Sequence, residues 1–462
     1  MDDIRRKTPM PERNPALRVT GFEEVALGYD ADLAAREAAR CLDCRHRPCV
    51  AGCPVGIDIP GFIRQIKNGD PGGAYVTLKQ SNALPAVCGR VCPQENQCEK
   101  VCVRAINGES VGIGRLERYA ADWHRTHEED RPEVTASNGH RVAVVGSGPA
   151  GLTCADELAG LGYAVTVFEA LHRTGGVLTY GIPPFRLPKD IVEYEVETLR
   201  KKGVTIRTNF VVGRTETLEQ LMEDGFEAIF IGAGAGLPTF LNIPGENLNG
   251  VYTANEFLTR INLMKAYRDD SATPLCDSTS IVVVGGGNVA LDAARCARRI
   301  CKGDVTIVYR RSEAEMPARR EEVHHAMEEG IRMRFLTNPV AFASDAAGRV
   351  SGVDCVEMEL GEPDATGRRR PVEKPGTQFR VDCDTAIVAI GTSPNPLLRR
   401  ASPSLEASER GSLKIDAETG MTTMPGVFAG GDIVSGDATV ILAMGAGKRA
   451  AAGIDAYIQN KK

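Results

Sequence analysis

The sequence predicts an α/β protein: a helical N-terminal domain, then two Rossmann-like dinucleotide-binding domains, the second inserted in the first. Three observations carry this. Eight of the fourteen cysteines fall between Cys41 and Cys102. A glycine turn recurs, with Val144-Val-Gly-Ser-Gly-Pro-Ala-Gly-Leu152 matching Val283-Val-Gly-Gly-Gly-Asn-Val-Ala-Leu291 at an offset of 139 residues. Beyond residue 140, short Val/Ile-rich runs ended by turns alternate with helical stretches of about 10 to 15 residues, the pattern of βαβ units.

Residues 1–135 form the first expected domain, with helices over Ala31–Ala39, Ile59–Lys67 and Ile113–His124. The polar run from His127 to Asn138, which holds Pro132, closes it. Buried parallel strands are expected at Val142–Val145, Val165–Phe168, Ile229–Ile231 and Ile281–Val284. The 462 residues are 42% hydrophobic and 25% charged, which excludes wholesale disorder. A net charge of −6 speaks against a chain-wide footprint for nucleic acid or anionic membrane. No run approaches the ~18 apolar residues of a spanning helix. The charged, Pro-rich stretch Met1 to Pro15 does not read as a signal peptide, so the cysteines are expected in a reducing cytoplasm.

In the first nucleotide unit, strand Val142–Val145 leads into Gly146-Ser147-Gly148-Pro149-Ala150-Gly151 and a helix over Leu152–Gly160. The glycines permit close backbone approach, and a pyrophosphate meets the free amides of the helix N-terminus. Glu169 closes the second strand, 23 residues after Gly146, where an acid accepts from a ribose hydroxyl. This motif alone does not separate FAD from NAD. Gly430-Gly431-Asp432-Ile433-Val434 resembles the second flavin-binding motif of two-dinucleotide-binding flavoproteins. There the carboxylate holds the ribitol and a following helix, here from about Ala438, faces the isoalloxazine. FAD is therefore expected on this unit, with Gly176 at the same site.

In the second unit, strand Ile281–Val284 runs into Gly285-x-Gly287-Asn288-Val289-Ala290, alanine replacing the third glycine. Aligned with Thr166–Glu169, the next strand ends in Tyr309, followed by Arg310 and Arg311. Guanidinium groups pair with a 2′-phosphate that an acid would repel, so NADP(H) is preferred to NAD(H), with Arg319 a further member of the pocket. The run Arg368 to Arg370 is taken as a solvated strand end. The FAD-binding domain is assigned 136–255 and 385–462, and the NADP-binding domain 256–384.

The cysteines are spaced Cys41-x2-Cys44-x4-Cys49-x3-Cys53-Pro54 and Cys88-x3-Cys92-Pro93-x4-Cys98-x3-Cys102. Such thiolates wrap cuboidal iron–sulfur clusters, and the trailing Cys-Pro is similar to that of two-cluster ferredoxins. Two structural zinc sites, in a zinc-stabilised interaction protein, would use the same atoms, although zinc cannot carry electrons from a flavin–nicotinamide module.

With Leu84-Pro-Ala-Val-Cys88-Gly-Arg-Val-Cys92-Pro93 and Tyr180-Gly-Ile-Pro-Pro-Phe-Arg-Leu-Pro-Lys189 added to these runs, nearly the whole chain resembles the small subunit of NADPH-dependent glutamate synthase. The same module resembles the N-terminal half of dihydropyrimidine dehydrogenase and the large subunit of electron-bifurcating NADH-dependent ferredoxin:NADP oxidoreductase. The resemblance implies two [4Fe–4S] clusters with crossed ligands: Cys41, Cys44, Cys49 and Cys102 on one, Cys53, Cys92 and Cys98 with Glu117 on the other. Dihydropyrimidine dehydrogenase has a Gln at the place of Glu117. Cys88 is left without a ligand role. The resemblance also implies that Arg186 contacts FAD and that Ala389 and Gly391 lie near the nicotinamide nucleotide.

The implied activity passes hydride from NADPH to FAD and single electrons through the clusters to a partner, with no side chain assigned as acid or base. The expected partner is a large glutamate synthase subunit, since no glutaminase nucleophile or FMN site is found in this chain. The alternative is the NADP-side subunit of the bifurcating enzyme, whose partner is a small ferredoxin-reductase-like flavoprotein.

Overall fold

The computed structural model describes residues 4–461 apart from 274, 276, 364–366 and 437, so Cys276 lies outside the described residues. Asp30 starts the first long helix, α1 (Ala31–Ala38), by accepting from the Leu33 amide. Helices α2 (Ile59–Lys67) and α3 (Pro71–Lys79) begin alike, each with an aspartate cap, Asp58 or Asp70, and a proline in the first turn. Helix α4 (Pro85–Val91) has no side-chain cap of its own; its Ala86 amide donates 3.0 Å to Glu195, far along the chain. Helix α5 (Ile113–His127) crosses α4 so closely that a Cβ on Gly89 would lie 2.6 Å from the Arg118 nitrogen. Phe62, Ile63, Leu78, Leu84 and Leu116 are fully buried between these helices.

The chain then runs β1 (Arg141–Val145), α6 (Pro149–Gly160), β2 (Ala164–Phe168), α7 (Lys189–Lys201), β3 (Thr205–Arg207), β4 (Ala228–Ile231) and β5 (Val251–Thr253). There follow β6 (Ser280–Val284), α8 (Asn288–Ile300), β7 (Asp304–Val308), α9 (Arg320–Glu328), β8 (Arg332–Arg334), β9 (Thr337–Ser344) and β10 (Val350–Pro363). The last elements are β11 (Arg369–Glu373), β12 (Phe379–Asp382), β13 (Thr385–Val388), β14 (Val427–Ala429) and α10 (Val440–Gln459). Two parallel sheets result, ordered β14-β4-β1-β2-β3 and β5-β13-β6-β7-β8, and a smaller antiparallel sheet holds β9 to β12. The near-continuous Val/Ile content of β1 and β6 is what a strand buried on both faces requires.

The repeat is thus structural: β1-α6-β2 and β6-α8-β7 occupy matching places in their sheets. One difference from the sequence boundaries stands out. Val251–Thr253 and Thr385–Val388 pair in the second sheet, β13 between β5 and β6, so both crossings lie a few residues outside 256–384. The ladder partner decides sheet membership, and partners so distant leave no local signal. Among the described residues no helix is long and apolar enough to cross a membrane.

Residues ahead of α1 cross from the helical domain to the second sheet. Val25 donates to the Phe185 carbonyl at 2.9 Å, and Phe22 stacks on Tyr267 at 4.0 Å. Arg18, only 2% exposed, lies among Glu12, Glu328 and Glu329, and His325 meets Glu12 at 3.0 Å. A buried arginine is tolerable only with such partners.

Candidate functional site

At the first turn, the first and third glycines cannot be replaced without a clash. Gly146 has φ +99°, and a Cβ there would stand 2.5 Å from the Gly232 carbonyl oxygen. A Cβ on Gly151 would reach 1.9 Å from the Gly146 oxygen, and one on Gly176 would reach 2.8 Å from the Gly148 Cα. Pro149 opens α6 with no side chain over its first amides, which leaves them for an anion. Ser147 is fully buried and donates to Glu169 through its amide (3.0 Å) and its hydroxyl (2.5 Å). The other Glu169 oxygen accepts from the Leu171 amide at 2.9 Å. Glu169 thereby fastens the end of β2 to the glycine turn.

Across the sheet, Gly431 (φ +77°) lies so near α6 that its Cβ would be 3.2 Å from that of Ala150. Asp432 accepts from the Ala438 amide at 3.0 Å, two residues before α10 begins. On α10, a Gly447 Cβ would fall 2.2 Å from the Ala150 oxygen. Gly146 to Gly151, Glu169, Gly176, Gly431 and Asp432 are gathered at the carboxyl ends of the first sheet, where a dinucleotide fits.

The second turn repeats this geometry with other side chains. A Cβ on Gly285 (φ +142°) would stand 2.3 Å from the Ala389 carbonyl oxygen, and one on Gly286 2.6 Å from the Tyr309 ring. A Cβ on Gly287 would meet Pro317 at 3.9 Å, an ordinary contact, Val289 is 43% exposed, and Ala290 is buried beneath the turn. Gly391 (φ +110°) follows the β13 end. Arg310 is exposed and Arg311 half-buried, beside the ring of Tyr309. Partial burial and the neighbouring Arg311 and Arg368 lower the pKa of Arg310, so three guanidinium groups share this corner.

Two of the arginines named from the sequence have protein partners that the sequence does not show. Arg186 Nη1 donates to both carboxylate oxygens of Asp292 at 2.8 Å, and its Nε lies 3.2 Å from Glu322. Arg319 points away from Arg310 toward the helical domain, reaching the Arg90 carbonyl (3.0 Å), Gln94 (3.3 Å) and Glu95 (3.4 Å). Both are buried, and a guanidinium removed from water goes where carboxylates and carbonyls converge. Only the Arg319 backbone amide touches the second turn, donating 3.0 Å to Asn288 Oδ1.

The thiols fall into two sets. Cys41, Cys44, Cys49 and Cys102 are half-buried at the surface of the helical domain. Burial, with Cys41 and Cys102 close by, pushes the Cys49 thiol up to about 11. Cys53, Cys92, Cys98 and Glu117 line one cavity, walled by Ile57, Ile59, Phe62, Ile113 and Ile441. Burial pushes Glu117 up to about 8, although Asn82 donates to it at 2.7 Å. Thus Cys102, from the second run, joins the first set, and Cys53, from the first run, joins the second.

Donors converging in a chamber walled mostly by apolar side chains, with Gln94 and Gln97 beside them, fit a metal cluster. Among the described residues, no three of these sulfurs lie within 4.8 Å of one another. Tetrahedral zinc, with bonds of about 2.3 Å, would hold them about 3.8 Å apart, closer than any three of them lie here. Cys88 borders the same chamber, but its thiol lies 3.6 Å from Asn82 Oδ1 and 3.4 Å from Met444 Sδ, and burial raises its pKa strongly.

Helix α10 joins this chamber to the first turn. Its cap Thr439 accepts from Gln97 at 3.3 Å, Ile441 forms part of the chamber wall, and a Gly445 Cβ would touch the Pro54 carbonyl at 3.0 Å. Sequence reasoning missed Asn82, Thr439 and Met444, and it read Arg368 as part of a solvated strand end, whereas that residue is half-buried against Tyr309. The only signals of the first three are proximity in the chain to Leu84-Pro85 and to Gly-Asp.

Comparison with known proteins agrees with this arrangement. The family described as dihydropyrimidine dehydrogenase domain II, 4Fe-4S cluster, matches residues 18–129, and pyridine nucleotide-disulphide oxidoreductase matches 140–450. The NADP(+)-dependent formate dehydrogenase subunit beta of Moorella thermoacetica is 39% identical over 96% of this chain, which spans 65% of that relative's length. The glutamate synthase [NADPH] small chain of Escherichia coli is 36% identical, with 99% of this chain and 98% of the relative covered. Mycobacterium tuberculosis FprA, solved in complex with NADPH, shares the fold at a TM-score of 0.60 over 70% of this chain and 85% of its own, with 20% identity. With both halves matched in order and near-complete mutual coverage, the chain belongs to the family of glutamate synthase small chains, built from a 4Fe-4S domain and a pyridine nucleotide-disulphide oxidoreductase unit.

Proposed function

We propose that this protein is the electron-input subunit of a glutamate synthase, taking hydride from NADPH and delivering single electrons to a large partner subunit. What supports the reading most is α10. Its first turns border both the chamber of Cys53, Cys92, Cys98 and Glu117 and the Gly431–Asp432 turn of the first nucleotide site.

The residues divide the work as follows. Gly146, Gly148 and Gly151 bring backbone amides of α6 to the FAD pyrophosphate, and Asp432 is placed for the ribitol. Gly285, Gly287 and Asn288 serve the NADP(H) pyrophosphate in the same way, with Ala389 and Gly391 beside that turn. Arg310 and Arg311 hold the 2′-phosphate. A flavin held at the first turn would supply the change from a two-electron hydride to single electrons, and clusters held by the two cysteine sets would supply one-electron carriers. The apolar walls of the inner chamber keep water from it. Cys41, Cys44, Cys49 and Cys102, nearer the surface, hold the cluster that faces the partner.

The deciding experiment is anaerobic purification from native cells with identification of the co-purifying subunit. A large chain carrying glutaminase and FMN chemistry, with glutamine- and 2-oxoglutarate-dependent NADPH oxidation by the complex, is expected. A small ferredoxin-reductase-like flavoprotein instead would overturn the assignment. On the isolated chain, Cys49→Ser should remove about half of the iron and leave FAD bound, since each cluster has its own ligand set.

A further inference from the structure

Arg368, Arg369 and Arg370 look alike in sequence, yet the fold treats them differently. Arg369 and Arg370 are exposed, whereas Arg368 turns inward at the base of β11. Its Nη2 donates to the Tyr309 hydroxyl at 3.3 Å and the Glu315 carbonyl at 3.4 Å. Tyr309 is the residue whose ring lies on Gly286 of the second turn and which directly precedes Arg310. From the same strand, the Arg369 carbonyl accepts from Arg311 Nε at 2.9 Å and so fixes the plane of that guanidinium. Of the two acids next along the chain, Glu313 is exposed, and the Glu315 carboxylate accepts from the Ser312 amide at 3.2 Å as a helix cap. Among the described residues no carboxylate is within ion-pair distance of Arg310 or Arg311.

We propose that Arg368 is a third guanidinium of the 2′-phosphate pocket, and that the β10–β11 hairpin brings it there to set the preference for NADP(H) over NAD(H). The inference rests on the NADP(H) reading of the second site. Three like charges gathered at one edge repel one another, and a phosphate carrying nearly two negative charges relieves that repulsion where a bare ribose cannot. The planar forks of Arg310 and Arg368 can approach a phosphate from two elements at once, which gives geometric as well as charge selectivity.

The test is calorimetric titration of the FAD- and cluster-loaded protein with adenosine 2′,5′-bisphosphate and with AMP. Arg368→Ala should weaken the bisphosphate about tenfold, the worth of one charge-assisted hydrogen bond, and leave AMP unchanged. Arg368→Lys should recover part of the loss, and Arg370→Ala should have none. Unchanged bisphosphate binding in Arg368→Ala, or an equal loss for both ligands, overturns the proposal. If Arg310→Ala is strongly impaired while Arg368→Ala is not, only the role of Arg368 falls. If the unaltered protein shows no preference for the bisphosphate, the NADP(H) reading falls with it.

Discussion

The two glycine turns of this molecule share a backbone and almost nothing else. In each, a glycine lies under a carbonyl of the neighbouring strand's end, Gly146 under Gly232 and Gly285 under Ala389. The first turn then closes on itself, with Gly151 against the Gly146 oxygen and Glu169 bonded to Ser147. The second is looser, with Ala290 in the place of Gly151 and an arginine corner in the place of Glu169. The difference teaches that the βαβ unit supplies a generic pyrophosphate seat. Choice of nucleotide lies in the residue that ends the second strand and in what other elements bring beside it.

The sharpest way to break this comparison is to exchange the third position. Gly151→Ala should cost ~3 kcal/mol or more, because the clash is with backbone that cannot move aside. The purified protein should lack flavin absorbance and melt early; retention of full flavin content would show the first turn to be as forgiving as the second. Next in size, Arg310→Ala with Arg311→Ala should weaken NADPH about a hundredfold and NADH little, in line with the loss of two charge-assisted contacts. Equal losses for the two nucleotides in steady-state KM and direct titration would remove the distinction drawn between the strand ends. Glu169→Ala should cost ~1–3 kcal/mol of stability by leaving the buried Ser147 donors unpaired, with faster loss of FAD on dilution. A melting temperature equal to that of the parent would mean that Glu169 does not fasten the turn. Smallest, Ala290→Gly should cost ~1 kcal/mol through helix propensity alone and leave the NADPH dissociation constant unchanged.

Much of this was legible in the residues. The turns, the strands at 142, 165, 229 and 281 and the helices at 31, 59 and 113 rest on local pattern, and local pattern suffices where glycine conformation or strand burial is the cause. The crossed grouping of Cys53 and Cys102 came from family resemblance rather than spacing, since either run could have closed on itself. Arg186, Arg319 and Arg368 have partners that the sequence does not show, for one reason. A long cationic side chain takes its partner from whatever element the fold brings near, and Asp292, Glu95 and the Tyr309 hydroxyl lie from 59 to 224 residues away in sequence. The crossing segment around Arg18 and Phe22 left no periodic signal for the same reason: its partners Glu328 and Tyr267 belong to the second sheet's domain.

The wall that Ile441 contributes to the inner chamber has a consequence in time. It follows Cys98 by 343 residues. At ~5–20 residues per second of synthesis, it leaves the ribosome roughly 20 to 70 s after the thiols it encloses. During that interval the inner cysteines of every nascent chain lack this wall. Iron and sulfide can be delivered to them without any opening of the finished protein, and oxidants have the same access. The synthesis of α10 is therefore also the step that lets this chamber close.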